Sequence, residues 1–321
     1  MLSFIKSKLK KIISSEYLFS LNGNDKVVFL FHDVSTPSEP QYSPEYSTEI
    51  RSFKNQIELI KKKFELISLD KLLSDDSGNL KQQPLAAITF DDGFYSVFKH
   101  AFPYLNKEKI PFSIFVNRRA VLENTLWFTA LVLNKNNPAF LKDFYVRMLD
   151  KKKITYEQFR TLYLHEIISG IGSNNLTALY NYAARSDEKI FCDISDLKTM
   201  LDSRLVSVHF HSSNHFILKN CPDELLVTEI DENKEFVKSI TGKKDNHFAI
   251  PFGKKNHFDE RELRQLKKSG YQFAYTTNPN TFEKRSYGQG INLIPRISLT
   301  NQSPEELMFM INMSKLRKRA L

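Results

Sequence analysis

Short, unbroken apolar runs recur along the chain, and most give way to stretches in which apolar residues return every third or fourth position. Val27-Val28-Phe29-Leu30-Phe31 is such a run, Leu85 to Phe90 and Phe112 to Val116 are apolar but for Thr89 and Ser113, and Leu205 to Phe210 carries Ser207 and His209 among its apolar residues. Continuous apolar runs of that length predict strands buried on both faces. Phe248 to Pro251, Phe273 to Thr276 and Leu293 to Ile297 extend the series to seven strands, with a shorter apolar segment at Leu66 to Leu69. Between them, Phe53, Ile57, Ile60 and Phe64 keep helical spacing, as do Leu226, Ile230 and Val237, and Leu263 with Leu266. Pro222 and Gly242 bracket the second of these helices, and Gly270 follows the third. Tyr95 to Leu105 is helical in pattern, with Pro103 set to end or kink it. Ser303-Pro304-Glu305-Glu306 has the spacing of a capping box and opens a C-terminal helix bearing Leu307, Met310 and Ile311. Strands alternating with helices predict a parallel α/β barrel or a barrel-like open sheet.

Two regions depart from that rhythm. Residues 34–49, rich in Ser, Pro, Tyr and Glu, predict a loop long enough to be functional. Residues 121–195 hold the single tryptophan, Trp127, helical patches at Phe140 to Leu149 and Tyr156 to Ile168, and a polar stretch at Gly170 to Asn175. They predict a helical insertion on a strand-end loop, acting either as a lid over substrate or only as packing.

Composition narrows the class. At 321 residues, 41% hydrophobic and 26% charged, the chain suits one soluble globular domain. No apolar run approaches the ~18 residues that a membrane-spanning helix needs. Cys192 and Cys221 are too few for a disulfide scaffold and lack zinc-site spacing, so they predict ordinary thiols in a reducing compartment. The net charge of +9 does not indicate nucleic acid, because eight of the nine excess charges sit at the ends: Lys6, Lys8, Lys10 and Lys11, then Lys315, Arg317, Lys318 and Arg319. Residues 1–26 form a basic leader in which Leu2, Ile5, Leu9, Ile12 and Ile13 recur at helical spacing. Such a segment either lies on an anionic membrane surface or docks as a terminal helix. It lacks the unbroken apolar core of a secretory signal, so the expected location is cytoplasmic, at the inner face of the membrane if the leader binds lipid.

The chemistry gathers where strands end. The run Ala87-Ile88-Thr89-Phe90 stops at Asp91-Asp92-Gly93, and buried paired acids are costly unless they bind something. Leu205 to Phe210 runs into His211-Ser212-Ser213-Asn214-His215, and Phe248-Ala249-Ile250 into Pro251-Phe252-Gly253. In α/β barrels catalytic groups collect at strand C-termini. Asp92 with His211 and His215 makes an N/O donor set suited to zinc or another first-row divalent ion, with cobalt, nickel or manganese as alternatives. Asp91 is then free to accept a proton from an attacking water, and a backbone N–H after Pro251 to stabilise an oxyanion. That is the layout of amide or ester hydrolysis.

Taken in order, Thr89-Phe90-Asp91-Asp92-Gly93, His211-Ser212-Ser213-Asn214-His215 and Phe248-Ala249-Ile250-Pro251-Phe252-Gly253 closely resemble the first three motifs of the polysaccharide deacetylases with a NodB homology domain, carbohydrate esterase family four. The likeness spans residues 27–119 and 196 to about 300, so residues 27–321 are expected to form a NodB-like domain interrupted by the 121–195 insertion. It implies a distorted (β/α) barrel and a metal-dependent hydrolase removing N- or O-acetyl groups from a sugar of a bacterial surface polysaccharide or its lipid-linked precursor. It also implies Asp91 as general base, Asp92, His211 and His215 as metal ligands, and the Phe252 amide at the oxyanion. Pro251, Phe252 and Trp127 are the substrate-facing candidates. Two departures stand out: Ala249 replaces the arginine that usually opens the third motif, and Leu293-Ile294-Pro295-Arg296-Ile297 stands where a Leu-x-His motif would supply the general acid. His32 is the first candidate for that acid and His257 a weaker one, while Arg296 either orients Asp91 or holds an acidic sugar. His209 shares a strand face with His211 and is expected in the core or behind a ligand. The rival readings are a deformylase or deacylase of a lipid-linked amino sugar, and a catalytically silent glycan-binding or scaffold subunit.

Overall fold

A computed structural model of the chain describes residues 25–74, 83–149, 154–160, 162, 166–167, 171, 176–182, 187–243, 246–278, 285–287 and 290–319. The basic leader up to residue 24 and most of the polar stretch 170–175 lie outside the described residues. The strands are β1 (Lys26–Phe31), β2 (Asp33–Ser35), β3 (Ser47–Glu49), β4 (Glu65–Leu66), β5 (Leu85–Phe90) and β6 (Phe112–Val116). They continue with β7 (Val206–Phe210), β8 (His247–Ala249), β9 (Phe273–Thr276), β10 (Arg285–Tyr287), β11 (Ile291–Pro295) and β12 (Ile297–Ser298).

Neighbours run parallel from β1 through β5, β6, β7 and β8 to β9. β11 continues the row, with Asn292 opposite Phe273. One residue further on, β12 pairs with β1, Ile297 opposite Phe29. The segment 291–298 thus lies against both ends of the row and closes it into a distorted α/β barrel of parallel strands. β10 adds an antiparallel hairpin strand outside β11.

The strands are mostly apolar because the central ones, such as β1, β5 and β6, bury both faces. Val28, Ala87, Phe115, Ala249, Tyr275 and Ile294 fill the barrel interior, plugged at the strands' N-terminal end by Ile67, Leu69 and Leu72. Alternate residues, such as Phe29, Phe31, Ile88 and Phe90, point outward onto the helices. There the helix Ile50–Lys63 buries Phe53, Ile57 and Ile60, and Phe53 meets Phe31 edge-on at 5.1 Å. Each such side chain fully buried contributes ~1.5–3 kcal/mol.

Three local expectations are revised. The loop 34–49 is bounded by a short parallel pair, β2 with β3. Of the short apolar segment Leu66 to Leu69 only Leu66 pairs as strand, together with Glu65, and from Leu69 the chain is helical. Pro103 does not end its helix: a π-helical turn at Val97–Ala101 precedes Phe102–Lys107, and the wider turn accommodates a ring that lacks an N–H and crowds the carbonyl behind it. Between β6 and β7 the described elements are all helical, Arg118–Glu123 through Ile194–Asp202.

Candidate active site

The turns at the C-terminal rim are strained, and buried polar side chains hold them. After β5 the chain passes through Asp92 at φ 70° and Gly93 at φ 79°, and a Cβ on Gly93 would lie 3.1 Å from the Val116 side chain. A left-handed non-glycine residue costs on the order of 1–3 kcal/mol and persists only where its surroundings fix it. Here the segment before the Ile194–Asp202 helix straps the turn: Cys192 N donates to Gly93 O and Tyr95 N to Ile190 O, both at 2.8 Å. After β7, Ser212 and His215 also take positive φ, 68° and 58°. Asn233 accepts from His211 N at 3.1 Å, Asn117 donates to Ser212 O at 3.1 Å, Ser212 Oγ accepts from His215 N at 3.1 Å, and Trp127 Nε1 donates to His215 O at 3.0 Å.

These turns bring Asp92, His211 and His215 together. Asp92 Oδ1 lies 3.1 Å from His215 Nε2 and 3.3 Å from His211 Nε2, and one ligand atom from each of the three residues falls within 4.8 Å of the others. The His211 ring is oriented by Nδ1 against Ala249 O at 2.9 Å, which turns Nε2 toward the acid. Burial would raise the Asp92 carboxyl, yet the charge of His215 and the contacts with both rings hold it far below the carboxylate range. Burial lowers His215, while at His211 the two aspartates outweigh burial and raise it. Asp92 Oδ1 is buried without a hydrogen bond of acceptable geometry. Two ligands each about 2.1 Å from a tetrahedral zinc ion stand about 3.4 Å apart, so the observed spacings are those of donors around one small cation.

Asp91 lies beside this cluster, its Oδ2 3.8 Å from His211 Nε2. Arg296, at the bend between β11 and β12, clamps it through both guanidinium ends, 2.7 Å to Oδ1 and 2.6 Å to Oδ2. The guanidinium rests over the Phe115 and Tyr275 rings, 5.4 and 5.7 Å from their centroids. Burial alone would raise the Asp91 carboxyl, but Arg296 and then His211 keep it lowered and ionised. The position that lacks an arginine, Ala249, is thus served by an arginine from a different strand.

The remaining candidates fall into two groups. His32, partly buried at the end of β1, faces the charges of Asp92, Asp91, Arg296 and His211, and burial lowers its pKa. The Phe252 ring, partly exposed, packs edge-on against His215 at 4.4 Å, and its backbone holds φ 58°. Pro251 beside it is buried. Trp127 is 1% exposed, and its indole donates to His215 O and packs 6.0 Å from the Phe252 ring. His257 sits on the far side of the Phe252 ring at 5.7 Å, with burial lowering it to about 4. His209 lies inside the barrel, its Nε2 3.0 Å from Ser207 Oγ.

The family model for polysaccharide deacetylase matches residues 79–274. No curated protein matches the sequence. Among solved structures, IcaB from Ammonifex degensii superposes with a TM-score of 0.58 at 19% identity, covering 92% of this chain and 100% of that one. The Streptococcus pyogenes deacetylase PplD, in complex with acetate, also gives 0.58, at 14% identity over 91% and 99%. A de-N-acetylase from Aggregatibacter actinomycetemcomitans gives 0.54 at 15% identity over 87% and 97%. At such identities the likeness establishes a shared fold.

Proposed function

Since the chain belongs to the polysaccharide deacetylase family, hydrolases of carbon–nitrogen bonds other than peptide bonds, we propose that it removes N-acetyl groups from an amino sugar of a bacterial surface glycan. One observation carries this reading: an ionised carboxylate, clamped by Arg296, stands next to but outside a three-donor cluster spaced for a divalent ion.

Asp92, His211 and His215 would hold that ion, which supplies Lewis-acid polarisation of the acetyl carbonyl and acidifies a water at neutral pH. The chain's own groups do the rest. Asp91 takes a proton from the attacking water at a carboxylate oxygen, and Arg296 keeps that carboxylate ionised and aimed. The backbone N–H of Phe252 stabilises the developing oxyanion. His32 delivers a proton to the sugar nitrogen as the C–N bond breaks, giving acetate and a free amine. Phe252, with Pro251 behind it, borders the place where the sugar rests. Acetate in the PplD complex and the de-N-acetylase description of the Aggregatibacter protein favour acetyl over formyl as the group removed.

The test is recombinant protein loaded with zinc, cobalt or nickel and given N-acetylated amino-sugar oligomers, with released acetate and new amine measured together. Equimolar acetate and amine are expected. Neither product under any metal would overturn the proposal.

A further inference from the structure

The helix Asp223–Thr241 sends two polar side chains into the protein, Glu229 and Asn233, each 0% exposed. Asn233 is accounted for by the strand ends it joins, accepting from His211 N and donating to Val116 O at 3.0 Å. Among the described residues no cationic side chain pairs with Glu229. Instead its Oε2 accepts from Asn214 N at 2.8 Å and its Oε1 from the Asn214 side-chain amide at 2.5 Å, while its own backbone carbonyl accepts from Ser213 N at 2.9 Å. A fully buried carboxylate satisfied by neutral donors is expensive, and burial drives its pKa up to about 7. An apolar side chain would pack there at lower cost. What the carboxylate achieves is to fix Asn214, next to the second histidine, in a turn that must hold Ser212 and His215 at positive φ.

We propose that Glu229 is a positioning residue for the metal: by holding Asn214 through its carboxylate it sets the spacing of His211 and His215, and so the affinity of the site for a divalent cation. This rests on the reading that Asp92, His211 and His215 hold that cation. Groups behind a ligand that are removed typically cost 10–100-fold in metal affinity.

The experiment measures zinc affinity of the full chain against a chromophoric chelator, beside thermal melting, for wild type, Asp92→Ala, Glu229→Leu, Glu229→Gln and Asn214→Ala. Glu229→Leu is expected to weaken zinc about 10-fold or more while melting cooperatively. Glu229→Gln, whose amide oxygen still accepts from Asn214 N, is expected to recover most of that loss, and Asn214→Ala to weaken zinc severalfold. Zinc affinity unchanged in Glu229→Leu overturns the proposal. Should Glu229→Leu fail to fold, Asn214→Ala decides, and unchanged affinity there overturns it equally. Zinc binding that survives Asp92→Ala would overturn the metal-site reading itself, a separate outcome from loss of the Glu229 effect alone.

Discussion

Each end of the barrel brings histidines near an aspartate, and the two groupings are chemically opposite. At the N-terminal end His247 Nε2 lies 3.0 Å from Asp70 and its Nδ1 2.6 Å from the Tyr275 hydroxyl, while its neighbour His209 turns Nε2 to Ser207. The Asp70 side chain is 71% exposed, so water solvates whatever charge it carries. At the C-terminal rim the Asp92 side chain is 4% exposed, and both histidines point nitrogen at one carboxylate oxygen that lacks a proper donor. The first grouping is complete as it stands. The second has the spacing of donors that could hold a metal ion. Residue type alone does not separate them; burial of the acid and the direction of the ring nitrogens do.

The contrast is most sharply tested at Arg296. Arg296→Met leaves Asp91 buried without its partner, and breaking a buried pair from one side costs ~3–5 kcal/mol. Asp91 is lowered in the fold, so the pair's stabilisation is present above the carboxylate's unfolded value and is lost as pH falls through its folded one. In Arg296→Met the acid limb of the pH–rate profile should therefore move to higher pH. An unmoved limb would mean that Arg296 does not tune the base.

Glu229 gives a shift of the opposite sign. Its raised pKa means the folded chain retains a proton that the unfolded chain has released, so stability falls as pH rises from about 4.5 to about 7 and levels off above. Melting of the metal-free protein across that window should register a loss on the order of 3 kcal/mol at wild type, absent in Glu229→Leu. At the far end of the barrel Asp70→Asn should change stability by about 0.5 kcal/mol or less and leave zinc binding and turnover intact. Zinc loss in that variant would erase the distinction between the two groupings.

How much of this could be read from the sequence follows from what each part of the fold requires. Strands buried on both faces are predominantly apolar, so the seven runs were legible. β2 and β3 were not, being three residues each and set in a polar stretch. The candidate ligands stand at strand ends within recognisable motifs. Arg296 was legible as a candidate from its place in the Leu-x-His position, with its role open between orienting Asp91 and holding an acidic sugar; that it reaches Asp91 across 205 positions of chain depends on a barrel closure that no local pattern records. Glu229 and Asn233 left a fainter signal. They fall on the helical stripe of Leu226, Ile230 and Val237, where polar residues are out of place unless something inside needs them.

Asp92 on the metal and Asp91 on the proton is the proposed division of labour between adjacent carboxylates, and zinc bound per chain in Asp91→Asn and Asp92→Asn separates the two roles. Asp91→Asn is expected to keep a full complement of zinc while releasing no acetate, and Asp92→Asn to bind little or none. Equal zinc in both variants, whether retained or lost, would contradict it.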